Sequence, residues 1–130
     1  MIFVDSCIFI ALADDKDQWH EQTKAVVKHL KNERIVISDF IISEALTEIG
    51  RRSGGKKAHQ LFNYFVDNCE VVYVDVQLLF ESESTFLKFD GKLSLADSVS
   101  VNIMLREIIK NIISFDSDFD KIKEINRIFW

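Results

Sequence analysis

The sequence predicts an α/β domain with a mainly parallel sheet, and three observations carry that expectation. Short β-prone apolar runs recur at Ile2–Val4, Ile35–Ile37, Val71–Val74 and Ile112–Phe115. Most of the chain between them reads as helix, with apolar residues spaced to share one helical face. The first run is apolar at every position, as expected of a central strand buried on both faces.

Each element has a local reason. The first strand stops at Asp5, and Ile8 to Ala13 reads as a short helix. Asp14 to Asp17 form a polar break, in which Asp15 or Asp17 can cap the next segment. From Trp19 to Lys31 the apolar residues Trp19, Ala25, Val26, Val27 and Leu30 alternate with charged ones, giving a surface helix with one apolar face. Ser38 or Asp39 can cap a helix from Phe40 to about Arg52, with Ala45 and Ile49 at the centre of its apolar stripe. Glu44 falls outside that stripe, free for solvent or for a cleft. A basic, glycine-containing turn from Arg51 to Lys57 leads to an amphipathic helix over Ala58 to about Asp67. After the third β-run, a helical stretch from Val76 ends before Asp90 and Gly91. Ser94 opens a helix to about Lys110, the fourth β-run closes at Asp116, and a short helix near Phe119–Ile122 precedes a last apolar run, Ile128 to Trp130.

Composition narrows the function classes. A length of 130 residues suits one domain over residues 1–130, and 48% hydrophobic residues with eleven Phe argue against disorder. No apolar run reaches the roughly 18–20 residues of a membrane span. No basic region precedes the first apolar run, so no signal peptide is expected. Cys7 and Cys69 lack metal-ligand spacing and read as reduced thiols of a cytoplasmic protein. A net charge of −5 argues against a passive nucleic-acid binder yet suits an enzyme with an acidic metal site.

Four carboxylates stand out by position. Asp5 and Asp116 end the first and fourth strands, Glu44 lies in the second turn of the helix after the second strand, and Asp97 lies in the first turn of the helix opened by Ser94. In a right-handed parallel sheet these places share the carboxyl edge, where ligands bind. Asp118 can join them. Two carboxylates about 5 Å apart repel by about 3 kcal/mol at an effective dielectric near 20. A cluster must therefore raise its pKa values or take up a cation, and oxygen donors without His or Cys suit Mg²⁺ or Mn²⁺. Each residue also has a plain structural alternative: Asp97 as a helix-capping acid, Glu44 as a solvated carboxylate, Asp116 and Asp118 as turn formers.

The opening MIFVDSCIFIAL resembles that of PIN-domain ribonucleases, in which an apolar strand ends in Asp and a small hydroxyl residue follows. Glu44 in ISEAL, Asp97 in LSLADSVSV and Asp116 in ISFDSDFD match the family's other acidic positions in order and approximate spacing, over the whole chain. The length fits the VapC-like toxins of prokaryotic toxin–antitoxin pairs. The resemblance implies a three-layer α/β/α sandwich, with Asp5, Glu44, Asp97 and Asp116 binding one or two Mg²⁺ or Mn²⁺ ions and Asp118 as auxiliary ligand. It implies that Ser6 supports the site rather than attacks, and that a metal-activated water hydrolyses single-stranded RNA. It further implies a homodimer and an antitoxin that blocks the acidic cleft. Cys7 stands where the family usually has Ser or Asn.

Other readings remain open on the residues themselves. A phosphatase opening with a strand and Asp needs a second Asp two residues on, where this chain has Cys7. A receiver-like module wants paired acids at the first strand, and a non-catalytic PIN-like interaction module would have lost some of the four. Arg51, Arg52, Lys56 and Lys57 can contact RNA phosphates or form a solvated turn. His20, His29 and His59 form no ligand pattern, and Trp19, Phe129 and Trp130 are expected in the core or at a dimer contact.

Overall fold

The computed structural model describes residues 1–128. Five parallel strands form one sheet in the order β3-β2-β1-β4-β5: β1 (Ile2–Val4), β2 (Ile35–Ser38), β3 (Cys69–Val72), β4 (Asn111–Ile113) and β5 (Asn126–Ile128). β1 lies at the centre, paired through Ile2 with Ile35 and Phe3 with Val36 on one side, and through Phe3 with Ile112 and Val4 with Ile113 on the other. Phe3, Val4, Ile37 and Ile112 are fully buried, which explains the unbroken apolar runs.

The strand order fixes the layers. From β1 the chain moves through α1 (Ser6–Ala13) and α2 (His20–His29) to β2, then through α3 (Asp39–Ser53) and α4 (Gly55–Asn68) to β3. It returns through α5 (Val76–Lys88) and α6 (Leu95–Glu107) to β4, on the other side of β1. Right-handed crossovers moving in opposite directions place α1–α4 on one face and α5 and α6 on the other, as the α/β/α sandwich requires. The direction reverses between β1 and β4, and the crevice at such a reversal is where open α/β sheets bind ligands.

Several boundaries differ from the sequence expectation for identifiable reasons. α1 begins at Ser6, two residues early, because the Asp5 carboxylate accepts the Ser6 amide at 2.9 Å and caps it. Asp17 caps no helix; its carboxylate accepts the Trp19 amide at 2.9 Å and makes a turn before α2. The basic turn contracts to Gly54 (φ +90°): Arg51 and Arg52 belong to α3, Lys56 and Lys57 to α4. β3 starts at Cys69, and the expected helix near Phe119 is a 3₁₀ turn, Ser117–Lys121. The last strand begins at Asn126; Phe129 and Trp130 lie outside the described residues.

α6 stops at Glu107 rather than Lys110. Ile108 turns left-handed (φ 56°, ψ 43°), and the Ile109 amide reaches back to the Met104 carbonyl at 2.8 Å. That helix-ending motif usually uses glycine, and a β-branched residue there is strained by roughly 1–2 kcal/mol. Ile108 is 78% exposed, so its side chain contributes little burial in return. Ile108→Gly should therefore stabilise the protein by about 1 kcal/mol, read as a higher urea midpoint at unchanged slope. A lowered midpoint would mean that Ile108 is held by contacts rather than strained.

Candidate active site

Asp5 leaves β1 directly beneath the reversal point and is buried, with 6% of its surface exposed. Three donors hold it: the Ser6 amide on Oδ1 at 2.9 Å, the Ser114 hydroxyl on Oδ2 at 2.6 Å, and the Cys7 thiol on Oδ2 at 3.6 Å. Oδ2 therefore carries two donors and Oδ1 one, which leaves Oδ1 the freer oxygen. Burial pushes the Asp5 pKa up to about 6, against the lowering effect of the Ser114 and Ser6 hydrogen bonds.

The other acids arrive from separate elements. Glu44 is exposed on α3, and its carboxylate accepts a hydrogen bond from the Ser6 hydroxyl. Asp97 lies in the first turn of α6, where its amide donates to the capping hydroxyl of Ser94 at 3.0 Å. Asp116 follows β4; its carboxylate accepts the Asp118 amide at 2.9 Å and starts the 3₁₀ turn. One oxygen each from Asp97, Asp116 and Asp118 lie within 4.8 Å of one another. Burial, then the charges of Asp5 and Asp116, push the Asp97 pKa up to about 7. Asp5, Glu44, Asp97, Asp116 and Asp118 all line a single cavity of about 590 Å³, together with Ser6 and Lys92.

The remaining sequence candidates lie elsewhere. Arg51 and Arg52 both bind Glu48, and Arg52 also reaches Asp14 at 3.0 Å and Asp17 at 2.8 Å. That network ties the end of α3 to the loop after α1. Arg51, Arg52, Lys56 and Lys57 do not line the acidic cavity; Arg52 borders a neighbouring cavity of about 630 Å³ that shares Glu44, with Ile10, Phe40 and Ala96.

Sequence reasoning missed Ser114 and Lys92. Fully buried Ser114 donates to Asp5 and accepts the Asp116 amide at 3.0 Å, so one hydroxyl links two acids 111 positions apart. Its signal is the strand register: Val4 pairs with Ile113, so Ser114 stands beside Asp5. Lys92, on the turn after α5, carries no such signal. Cys7 gains a position as well, because its sulfur accepts the Phe115 amide at 3.4 Å and joins the ends of β1 and β4. Burial, followed by the Asp5 charge, pushes its thiol up to about 12.

The PIN domain family model matches residues 2–125. The chain belongs to the PIN-domain family. Among solved structures, VapC20 of Mycobacterium tuberculosis, a sarcin–ricin loop cleaving toxin, superposes with a TM-score of 0.86 at 24% identity, over 93% of this chain and 94% of that one. VapBC2 of Rickettsia felis bound to promoter DNA gives 0.74 at 13% identity over 100% and 99% of the two chains. A toxin–antitoxin complex from Klebsiella pneumoniae gives 0.73 at 13% identity over 97% and 96%. These likenesses establish the PIN fold. No curated protein sequence matches the chain.

The raised carboxyls set a pH dependence for the cation-free PIN domain. Asp5 and Asp97 have native pKa values of about 6 and about 7, above the unfolded value of 3.8. Between these limits the native state binds more protons than the unfolded chain, so their contribution to stability falls as pH rises from about 4 to about 7. In EDTA, Asp97→Asn should match the wild-type melting temperature near pH 4 and exceed it by several degrees at pH 8. A difference independent of pH would show that Asp97 is not electrostatically penalised.

Proposed function

We propose that this PIN domain, one unit over residues 1–130, is a metal-dependent endoribonuclease that hydrolyses single-stranded RNA and serves as the toxin of a toxin–antitoxin pair. The observation that carries the reading is the meeting of Asp97, Asp116 and Asp118 within 4.8 Å in a cavity that Asp5 and Glu44 also face. An all-oxygen set with this much uncompensated charge fits a hard divalent cation. Asp97, raised by the charges of Asp5 and Asp116, shows the repulsion that a cation would relieve.

Asp97, Asp116 and Asp118 would hold Mg²⁺ or Mn²⁺, with Asp5 and Glu44, which line the same cavity, as further ligands. When bound, the ion supplies water activation and stabilisation of the leaving oxygen in phosphodiester hydrolysis. Ser6 positions Glu44 through its hydroxyl, and Ser114 and Cys7 fix the Asp5 carboxylate. A covalent route is disfavoured by the residues present. The Cys7 thiol, pushed up to about 12, stays protonated, and among the described residues no histidine lines the cavity to activate Ser6.

The wider biology rests on the relatives. VapC20 is described as a sarcin–ricin loop cleaving toxin, the Klebsiella structure is a toxin–antitoxin complex, and the Rickettsia one is VapBC2 on its promoter DNA. They support RNA as substrate and a cognate antitoxin as partner. Exposed Val76, Phe80 and Leu87 on α5, with Tyr73 before it, offer apolar surface for a second copy in a homodimer. No helix among the described residues is long and apolar enough to cross a membrane, and both cysteines are free thiols, in keeping with the cytoplasm. A non-catalytic PIN module is the weaker reading, because the acid set is complete.

Antitoxin-free protein should cut single-stranded RNA with Mg²⁺ or Mn²⁺, stop in EDTA, and resume when the metal is restored. Asp5→Asn and Asp97→Asn should reduce cleavage to background while the fold, read by circular dichroism, is retained. Intact RNA across a broad panel of structured and unstructured substrates with Mn²⁺ present would end the nuclease reading.

A further inference from the structure

A further cavity, of about 470 Å³, is bordered by segments that also border the acidic one and has the opposite character. Thr85, Lys88 and Phe89 at the end of α5, Val101 and Leu105 on α6, and the Lys121–Glu124 segment line it. Its lining holds three lysines, one of them (Lys121) paired with Asp118, and a single carboxylate, Glu124, among apolar side chains. The volume falls in the roughly 300–1,000 Å³ range of small-ligand sites. In a chain of net charge −5, this is a local reversal of sign.

Two short segments border both cavities. The turn after α5 contributes Phe89 to the basic side and Gly91 and Lys92 to the acidic side. The 3₁₀ turn contributes Asp118 to the acidic side and Lys121 to the basic side, and the two are joined at 3.0 Å. A strand with a phosphate among the carboxylates would run past Lys92 and the Asp118–Lys121 pair toward the lysine cavity. Phosphates need cations and bases need apolar faces. Lys88, Lys121 and Lys123 supply the first, and Phe89 and Leu105 the second.

Resting on the nuclease reading, we propose that the cavity between α5, α6 and the 3₁₀ turn is the subsite for a nucleotide of the RNA substrate beyond the two joined by the cleaved bond. Lys88 and Lys123 hold its phosphates and Phe89 receives its base. Lys88, whose ammonium already lies 5.8 Å from the Phe89 ring centroid, places cation and aromatic on one ligand. The recognition is of backbone and stacking, so it tolerates any base.

The test uses a fluorescein-labelled single-stranded RNA of a dozen nucleotides, with Ca²⁺ in place of Mg²⁺, followed by anisotropy across a salt series. Lys88 and Lys123 are exposed and touch no proposed metal ligand, so Lys88→Ala/Lys123→Ala should fold normally. It should weaken binding about tenfold and flatten the log–log salt slope by about 0.7 per lysine removed. Lys28→Ala/Lys31→Ala, at a cavity with Glu33 and Ile35 at the start of β2, removes the same charge from the far edge and should change neither. With Mg²⁺, the first variant should lose kcat/KM about tenfold on the long RNA and keep it on a dinucleotide. Equal losses in the two double variants, or none in either, would overturn the subsite while cleavage by wild type leaves the nuclease reading intact. Selective loss of binding without cleavage by any metal would keep the subsite and remove the nuclease reading. Tighter binding of a poly-glutamate peptide than of RNA would overturn the proposal in favour of an acidic protein partner.

Discussion

Burial of negative charge at the carboxyl end of β1 is the constraint on which the rest of the site depends. Asp5 cannot be solvated where it stands, with 6% of its surface exposed, so its oxygens must be satisfied by neighbours. The Ser6 amide, the Ser114 hydroxyl and the Cys7 thiol do this, and each has a second task. Ser6 starts α1 and holds Glu44; Ser114 accepts the Asp116 amide; Cys7 accepts the Phe115 amide. The hydrogen bonds that make a buried carboxylate tolerable are therefore the ones that fix the positions of two other acids. Hydrogen bonding offsets only part of the penalty, as the raised Asp5 shows, and a cation would offset the remainder.

The fold concentrates those acids because its connections reverse between β1 and β4. Both strands end at the same edge, and α3 and α6 begin at that edge on opposite faces of the sheet. A first-turn position on α6 and a second-turn position on α3 then look at each other across the crevice. This explains why Glu44 lies outside the apolar stripe of its helix: the stripe around Ala45 and Ile49 is buried in the core, while Glu44 is left for the cleft. A PIN chain thereby gathers five carboxylates without placing any two of Asp5, Glu44, Asp97 and Asp116 on one element.

Charge is arranged against the overall balance of the molecule. An acidic protein repels RNA at long range, so in the reading proposed above the local lysines beside the acid cavity would carry the attraction. Arg51 and Arg52, the more conspicuous basic pair in the sequence, are absorbed by Glu48, Asp14 and Asp17 and brace α3 against the loop after α1. Lys88, Lys121 and Lys123 come from separate stretches of sequence and line one cavity, while Lys92 lines the acidic one.

The sequence by itself determined the sheet's apolar strands, the central place of β1, the α/β class and the acids at strand and helix ends, because these follow from short-range patterning and the period of each element. The meeting of Asp5, Glu44, Asp97, Asp116 and Asp118 at one cavity was legible once a parallel sheet was assumed, since parallel topology sends all those ends to one edge. Tertiary structure alone decided the partnerships. Ser114 stands beside Asp5 through the pairing of Val4 with Ile113, a register between residues far apart in the chain. The expected basic turn contracted to Gly54 because the helices on either side continue to it, and the ion pairs of Arg52 depend on a loop 35 residues away. Local pattern specifies which residues face inward or cap a helix; which distant polar group satisfies a buried carboxylate is set by packing, and only packing could reveal it.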